Sequence, residues 1–571
     1  MLRKTVVGHC ALWFRSSDLR LDDHTALHAA CHDAKSLLPV YVFDPLCFNA
    51  LTRYGGARKS TARRARFLLE CVASLRLRLE EHGSGLAVAL GSPADIIPVL
   101  CADCEVVFVT EGFCSEEKLE EARVAWKLMH GGLKRVWGGT LYLPTELGGY
   151  DPDNVPLGHN QFRNNCRSKG RIRAPIPEPS RLPPLLQHDR IHSSAEVSKA
   201  LKFLPTLQDL GYSDEDAEAA YVDDPRSAMV WEGGENAAWI RLQRWMFDHD
   251  RLKDYRDTQN GMLGEEYSSK LSPWIARGCI SVRRIWSEVQ RYESERSNNH
   301  STYWFRNLLE WRDRMIYIAR SQGDRIFKLA GIGGDQYSRT WHGTSDDLQV
   351  WKDGRTGEDL VDAGMKELAL TGYMSMRARH IVASYLIYEL GVDWRHGAAH
   401  FEEHLLDYDP ALNWVMWMLQ TGVMGPKSGR SLGLSHFDAK RPYASQRKTL
   451  ANHVADRAYI QHWLTASSSL YQGRFHQRLS PVHPALAVRS GACASISTHH
   501  DDHDDPGKYQ APRKQFGEPA LVQLSEGASK GKGKHRRWEL CDASLAGGTQ
   551  KRRWGRKAET ATHSELTLPG A

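Results

Sequence analysis

No run of 18 or more apolar residues occurs in this 571-residue sequence, which excludes a membrane-crossing helix as an organising element. A cysteine framework is also missing. Eleven cysteines, an odd number scattered along the chain, do not build the disulfide lattice of a small secreted domain and point to a reducing compartment. Cys101 and Cys104 form a CxxC without a second pair, so zinc is disfavoured there and no metal site is expected. Charge of one sign is not in large excess either. The balance of 75 Lys and Arg against 69 Asp and Glu leaves +6, which implies a nucleic-acid partner only if the charge is clustered. Only Met1 to Lys4 precede the first apolar run, so no signal or transit peptide is expected, and nucleus or cytoplasm is favoured. What is abundant is tryptophan: of 18 in the chain, most lie between Trp231 and Trp463.

The length is too great for one hydrophobic core, so two or three domains are expected. Across residues 1–150, short β-branched runs alternate with helical ones. Thr5 to Phe14, Leu38 to Phe43, Leu86 to Leu90, Val106 to Thr110 and Arg135 to Tyr142 read as strands. Between them, Phe67, Leu68, Cys71, Leu75 and Leu79 share a helical face, with Ser60 or Thr61 as N-cap and Gly83 just past the end. This pattern predicts a Rossmann-like parallel-sheet α/β domain whose ligand sites lie at the carboxyl ends of its strands. Residues 151–230 are rich in proline and poor in periodicity and read as an interdomain connector. Residues 231–467 carry the helical period throughout and form an all-helical domain, with Asp456 to Leu464 packing on it. From 468 to 571 the composition turns to Ser, His, Gly, Pro and Lys/Arg, the makeup of a disordered basic tail.

One loop carries specific chemistry. Tyr255 is followed by Ser268-Ser269-Lys270-Leu271-Ser272-Pro273-Trp274, consecutive hydroxyls and a cation leading into a helix. Hydroxyls, backbone amides and an ammonium at a helix N-terminus are what a diphosphate needs. A Ser-rich N-cap would look the same.

Six ordered segments extend the pattern: Trp13-Phe14-Arg15, Asp18-Leu19-Arg20, Tyr267 to Ala276, Trp311-Arg312-Asp313, Thr371 to Ser384 and Asp407 to Gly422. Together they resemble the photolyase and cryptochrome flavoprotein family, and the loop from Tyr267 to Trp274 is most similar to its cryptochrome DASH branch. The resemblance runs from about residue 10 to 465. It implies an antenna-type α/β domain and a helical domain that binds FAD. Tyr255, Ser268, Ser269, Lys270, Leu271 and Ser272 would then hold the diphosphate. Arg379 would pair with Asp407 beside the isoalloxazine, with Asp409 as neighbour, and the charge of that pair tunes the ring. Asn413 would face flavin N5, where an amide can both donate and accept. Trp417, Trp394 and Trp341 match the family's electron-transfer chain, and Trp414 is an additional relay candidate. Glu111 falls where relatives hold a reduced folate (methenyltetrahydrofolate) antenna.

The departures bear on activity. The branch usually places a Glu that contacts a pyrimidine dimer where this sequence has Leu308, and Glu310 lies two residues, hence about 200°, around the helix. Met376, Val415-Met416 and Gly425-Pro426-Lys427-Ser428 also replace usual polar residues. The resemblance therefore implies a blue-light-responsive FAD flavoprotein, a monomer that binds single-stranded DNA or RNA. The alternatives are a light-driven cyclobutane pyrimidine dimer lyase acting on single strands, where a lesion flips out most easily, and a nucleic-acid-binding protein with a structural flavin. Lys530 to Arg537 and Lys551 to Lys557, with Trp538 and Trp554, fit a nuclear import signal or a nucleic-acid tether.

Overall fold

The computed structural model describes residues 7–128, 132–186, 194–335, 340–424 and 454–465. Five strands, β1 (Val7–Phe14), β2 (Ala34–Phe43), β3 (Ala87–Leu90), β4 (Val106–Thr110) and β5 (Leu133–Val136), form one sheet in the order β3-β2-β1-β4-β5. Every pairing is parallel, and Trp13 on β1 registers with Val40 on β2 and Val109 on β4. Cys10, Leu12 and Phe14 point into one core while Ala11 and Trp13 point into the other, so this part of β1 is buried on both faces. That is why Cys10 to Phe14 reads as a continuous apolar run. Helices α1 (Thr25–Asp33), α2 (Ala62–Glu81), α3 (Pro93–Leu100) and α4 (Ser115–Lys127) connect and cover the strands. Thr61 caps α2 by accepting from the Arg64 amide, as the sequence predicts, and Gly83 follows at φ +71°.

Two expectations need correction. The fifth strand ends at Val136, not Tyr142. Gly139 turns the chain at φ +77°, and the Tyr142 amide donates to Asp313 Oδ2 at 3.0 Å, so Leu141 and Tyr142 bury their side chains at the junction with the helical domain. The segment 151–230 is not irregular throughout. It holds α5 (His159–Lys169), α6 (Ser194–Lys202) and α7 (Asp214–Ala220), each too short between prolines to show a sustained period. Of these, α6 packs on β3, α7 on α2 and α5 on the helical domain.

The helical domain comprises α8 (Glu235–Gln243), α9 (Tyr255–Thr258), α10 (Ser272–Ala276), α11 (Val282–Glu295), α12 (His300–Gln322), α13 (Ser345–Lys352), α14 (Asp359–Thr371), α15 (Met376–Tyr388), α16 (Trp394–His404), α17 (Pro410–Thr421) and α18 (Val454–Leu464). As expected from Asp456 to Leu464, α18 packs on α14, where Tyr459 donates to the buried Glu367 carboxylate at 2.5 Å. The loop after β1 docks on this domain. Asp23 accepts from Arg283 at 2.7 and 2.9 Å, Asp22 pairs with Arg284, and Arg20 donates to the Gly278 carbonyl. Gly278 sits at φ +65° with a Cβ position 1.9 Å from the Ser17 carbonyl oxygen, so only glycine lets the two loops meet. Among the described residues, no helix is long and apolar enough to cross a membrane. The tail beyond 465, its basic clusters and Gly425 to Ser428 lie outside the described residues.

Candidate flavin site

The hydroxyl loop is shaped from beneath by Arg241 on α8, a residue the sequence reading did not single out. Its buried guanidinium donates to the carbonyls of Ser269 at 2.8 Å, Glu265 at 2.9 Å and Ser268 at 3.1 Å, and to the Glu265 carboxylate at 2.6 Å. With the carbonyls turned toward Arg241, Lys270 adopts φ +53°, a left-handed conformation that costs a non-glycine residue free energy. Its ammonium lies 3.4 Å from the Tyr267 ring centroid and 5.1 Å from that of Tyr373. Lys270 is 2% exposed and its Nζ has no hydrogen-bond partner, and burial pushes its pKa well down. Such a group is unfavourable until an anion arrives. Leu271 is buried and Ser272 opens α10.

Tyr373, between α14 and α15, ties the loop to the second half of the site. Tyr255, Tyr267 and Ser268 all interact with it, and the Arg379 guanidinium lies 5.5 Å from its ring centroid. Burial and the neighbouring Asp407 and Glu367 carboxylates raise the Tyr373 phenol to about 12, although Arg379 opposes them. Tyr255 is itself buried between Trp245 and Phe305.

A cavity between α10, α12, α15, α16 and α17 is lined by Ser272, Arg312, Met376, Arg379, Asp407, Asp409, Asn413, Met416 and Trp417, among others. Arg379 Nη2 donates to Asp407 Oδ2 at 2.8 Å while its Nε donates to the Met374 carbonyl at 2.9 Å. Asp407 Oδ1 is buried without a partner. Asp409 uses Oδ1 to cap α17, accepting from the Leu412 amide, and its Oδ2 lies 3.8 Å from Arg312 Nη2. Asn413 Nδ2 donates to the Ala398 carbonyl at 2.9 Å, which fixes the amide and keeps Oδ1 as its acceptor.

The three tryptophans lie on connected elements. Trp417 lines the cavity and packs against Phe401 and Trp351, with ring centroids at 5.1 and 6.4 Å. A Cβ on Gly397 would lie 2.3 Å from the Trp417 ring, so that indole rests directly on α16. Trp394 is the first residue of α16 and is buried, its Nε1 donating to the Leu329 carbonyl at 3.2 Å. The half-buried Trp341 precedes His342, whose amide donates to the Gly391 carbonyl three residues before Trp394. Trp414 meets Trp394 at 5.7 Å between centroids, and Tyr54 at 5.8 Å.

Leu308 is half-buried one turn before Arg312 on α12. Glu310 is fully buried elsewhere, bound by Arg167 at 2.5 Å and by the Tyr142 hydroxyl at 3.2 Å, so it does not stand in for a carboxylate at Leu308. Met376 is 53% exposed at the cavity rim. Glu111 lies just past the end of β4, away from these groups, with its carboxylate 2.6 Å from Arg320 Nη1 of α12.

A hydroxyl-rich loop with an unpartnered buried cation, joined to a cavity holding an Arg–Asp pair with a free carboxylate oxygen, suits a dinucleotide with a polar ring. Lying within the helical domain, it defines an FAD-binding flavoprotein. Family models agree: residues 10–180 match DNA photolyase, and residues 304–497 match the FAD binding domain of DNA photolyase. A cryptochrome DASH of Gloeobacter violaceus is 37% identical over 488 residues, covering 84% of this chain and 90% of its own. A chloroplastic/mitochondrial cryptochrome DASH of Arabidopsis thaliana is 36% identical, covering 82% and 78%. The crystal structure of a Synechocystis cryptochrome superposes with a TM-score of 0.69 at 33% identity, covering 81% of this chain and 89% of that one. The chain belongs to the photolyase/cryptochrome family.

Proposed function

We propose that this protein is a blue-light-responsive flavoprotein of cryptochrome DASH type that draws electrons through Trp417, Trp394 and Trp341 and engages single-stranded nucleic acid at the cavity mouth. The observation that carries it is the cavity wall, where an oxidisable indole, Trp417, stands beside Asn413 and the Arg379–Asp407 pair. FAD, when bound, supplies blue-light absorption and one-electron chemistry. Lys270, with the hydroxyls of Ser268, Ser269 and Ser272, would hold its diphosphate, while Arg379 and Asp407 would present one positive and one negative group to the ring. Packing of Trp417 on Gly397 keeps the indole against the cavity. A reduced folate antenna at Glu111 would have to displace Arg320 from that carboxylate.

A sensor is favoured over a dimer lyase because Leu308 offers no donor to a lesion carbonyl and the rim carries the exposed Met376. A buried carbonyl left without a partner costs about 1 to 3 kcal/mol. The test is the absorption spectrum of purified protein before and after blue light with a thiol donor. Bound FAD that bleaches in light supports the reading. In Trp394→Phe and Trp417→Phe, flavin content is expected to persist while bleaching slows strongly; unchanged rates in both would assign electron supply to another route, such as Trp414.

A further inference from the structure

The last turn of α16 carries His400, Glu403 and His404, spaced i, i+3 and i+4 and hence on one face of the helix. Among the described residues, these side chains bring one ligand atom each within 4.8 Å of one another. The Glu403 Oε2 atom lies 3.7 Å from His400 Nδ1, and the two imidazole centroids are 4.3 Å apart. His404 Nδ1 lies 3.2 Å from the His400 carbonyl oxygen, which only accepts, so that nitrogen carries the proton and Nε2 is the His404 atom left to bind an ion. His400 is 5% exposed and its Nδ1 has no hydrogen-bond partner although it points at this carboxylate. The surroundings hold the ligands in place. Glu403 Oε1 accepts from the Arg58 amide at 3.1 Å, the Glu403 carbonyl accepts from the Thr61 amide, and the His400 ring packs on Trp351.

We propose that His400, Glu403 and His404 form a binding site for a divalent transition ion of zinc type, separate from the flavin cavity. Two imidazoles and one carboxylate are the donor set such an ion takes when a fourth position stays open to water. Lys352 and Asp353, one of each sign, are the other charges acting on His400, and the Lys352 ammonium is engaged by the Gly55 carbonyl at 3.1 Å. All three donors lie on α16, so an ion here would brace the last turn of that helix.

The experiment titrates full-length protein with Zn²⁺ against a chromophoric chelator and follows the thermal midpoint in parallel. His499, His500 and His503 supply competing ligands elsewhere in the sequence, so a variant with all three changed to Ala is titrated as well. The expected result is one tight equivalent per chain that survives in that variant. It should weaken at least tenfold in His404→Gln and in Glu403→Gln, whose amide still accepts from the Arg58 amide, with flavin content unchanged and the Zn²⁺-induced rise in midpoint lost. A tight equivalent that vanishes with the three tail histidines, or that persists in both α16 variants, overturns the site. So does the lack of any stoichiometric binding.

Discussion

Replacing Lys270 with Met should change flavin binding and flavin-free stability in opposite directions. In the flavin-free protein the Lys270 ammonium is 2% exposed and lacks a hydrogen-bond partner, while Glu367 lowers but does not remove its cost. An unsatisfied buried donor costs about 1 to 3 kcal/mol. Met follows the same unbranched path into the pocket without the charge, so the flavin-free variant should be more stable by about that amount. A charge-assisted hydrogen bond to a diphosphate contributes about 1.5 to 3 kcal/mol, so FAD affinity should fall roughly 10- to 160-fold. The pH dependence carries the same sign. The folded-state pKa lies below the unfolded value of about 10.4, so the unfolded chain binds more protons between the two. Stability of the flavin-free protein therefore rises with pH toward about 10.4, and this slope disappears in Lys270→Met. Thermal unfolding of stripped protein at several pH values, with FAD titration by fluorescence, reads both effects. A variant that loses stability while keeping its FAD affinity would refute the assignment of Lys270 as the diphosphate cation.

Gly397→Ala should push its new methyl into Trp417 and Leu386, costing about 1 to 3 kcal/mol of stability and slowing photoreduction, as measured by unfolding and light-bleaching kinetics. His159, whose pKa burial and nearby arginines lower to about 4, should make stability fall as pH drops from about 6.5 toward 4, by up to about 3 kcal/mol; His159→Gln should flatten that part of the pH profile. Repair of a thymine dimer in a single-stranded oligonucleotide by pre-reduced protein should be one to two decades weaker than in a relative with Glu at the Leu308 position, the size of one lost transition-state contact. Leu308→Glu should raise it, and full activity without the substitution would count against the sensor reading.

The parts of this molecule that repeat a local rule could be read without the structure. The α2 helix announces itself by its apolar stripe and Thr61 cap, and β1 by the apolar run from Cys10 to Phe14. Serine and lysine types at 268–272 carry their chemistry in their names. Arg241 and Tyr373 could not be found that way. Arg241 acts on backbone carbonyls 24 to 28 residues ahead, and carbonyls are the same in every residue. Tyr373 becomes a hub only because α9, the hydroxyl loop and α15 converge on it. The sequence pattern runs past the end of the fifth strand for a related reason: Leu141 and Tyr142 are apolar because they fill the domain junction, and burial there leaves the same pattern as burial in a sheet.

Helix α16 fixes a sequence interval as well as a shape. Trp394 begins it, Gly397 receives Trp417, Phe401 continues that contact, and Asp407 follows three residues after the helix ends at His404. Deleting one residue within it would rotate everything downstream by about 100° and draw it back about 1.5 Å relative to Trp394. The Asp407 carboxylate would then no longer meet Arg379 in the cavity while Gly397 still receives Trp417. Length variation should therefore be absent between Trp394 and Asp409 even where side chains differ. A library of single-residue insertions, scored by flavin colour in colonies, would show this interval as a block of white clones.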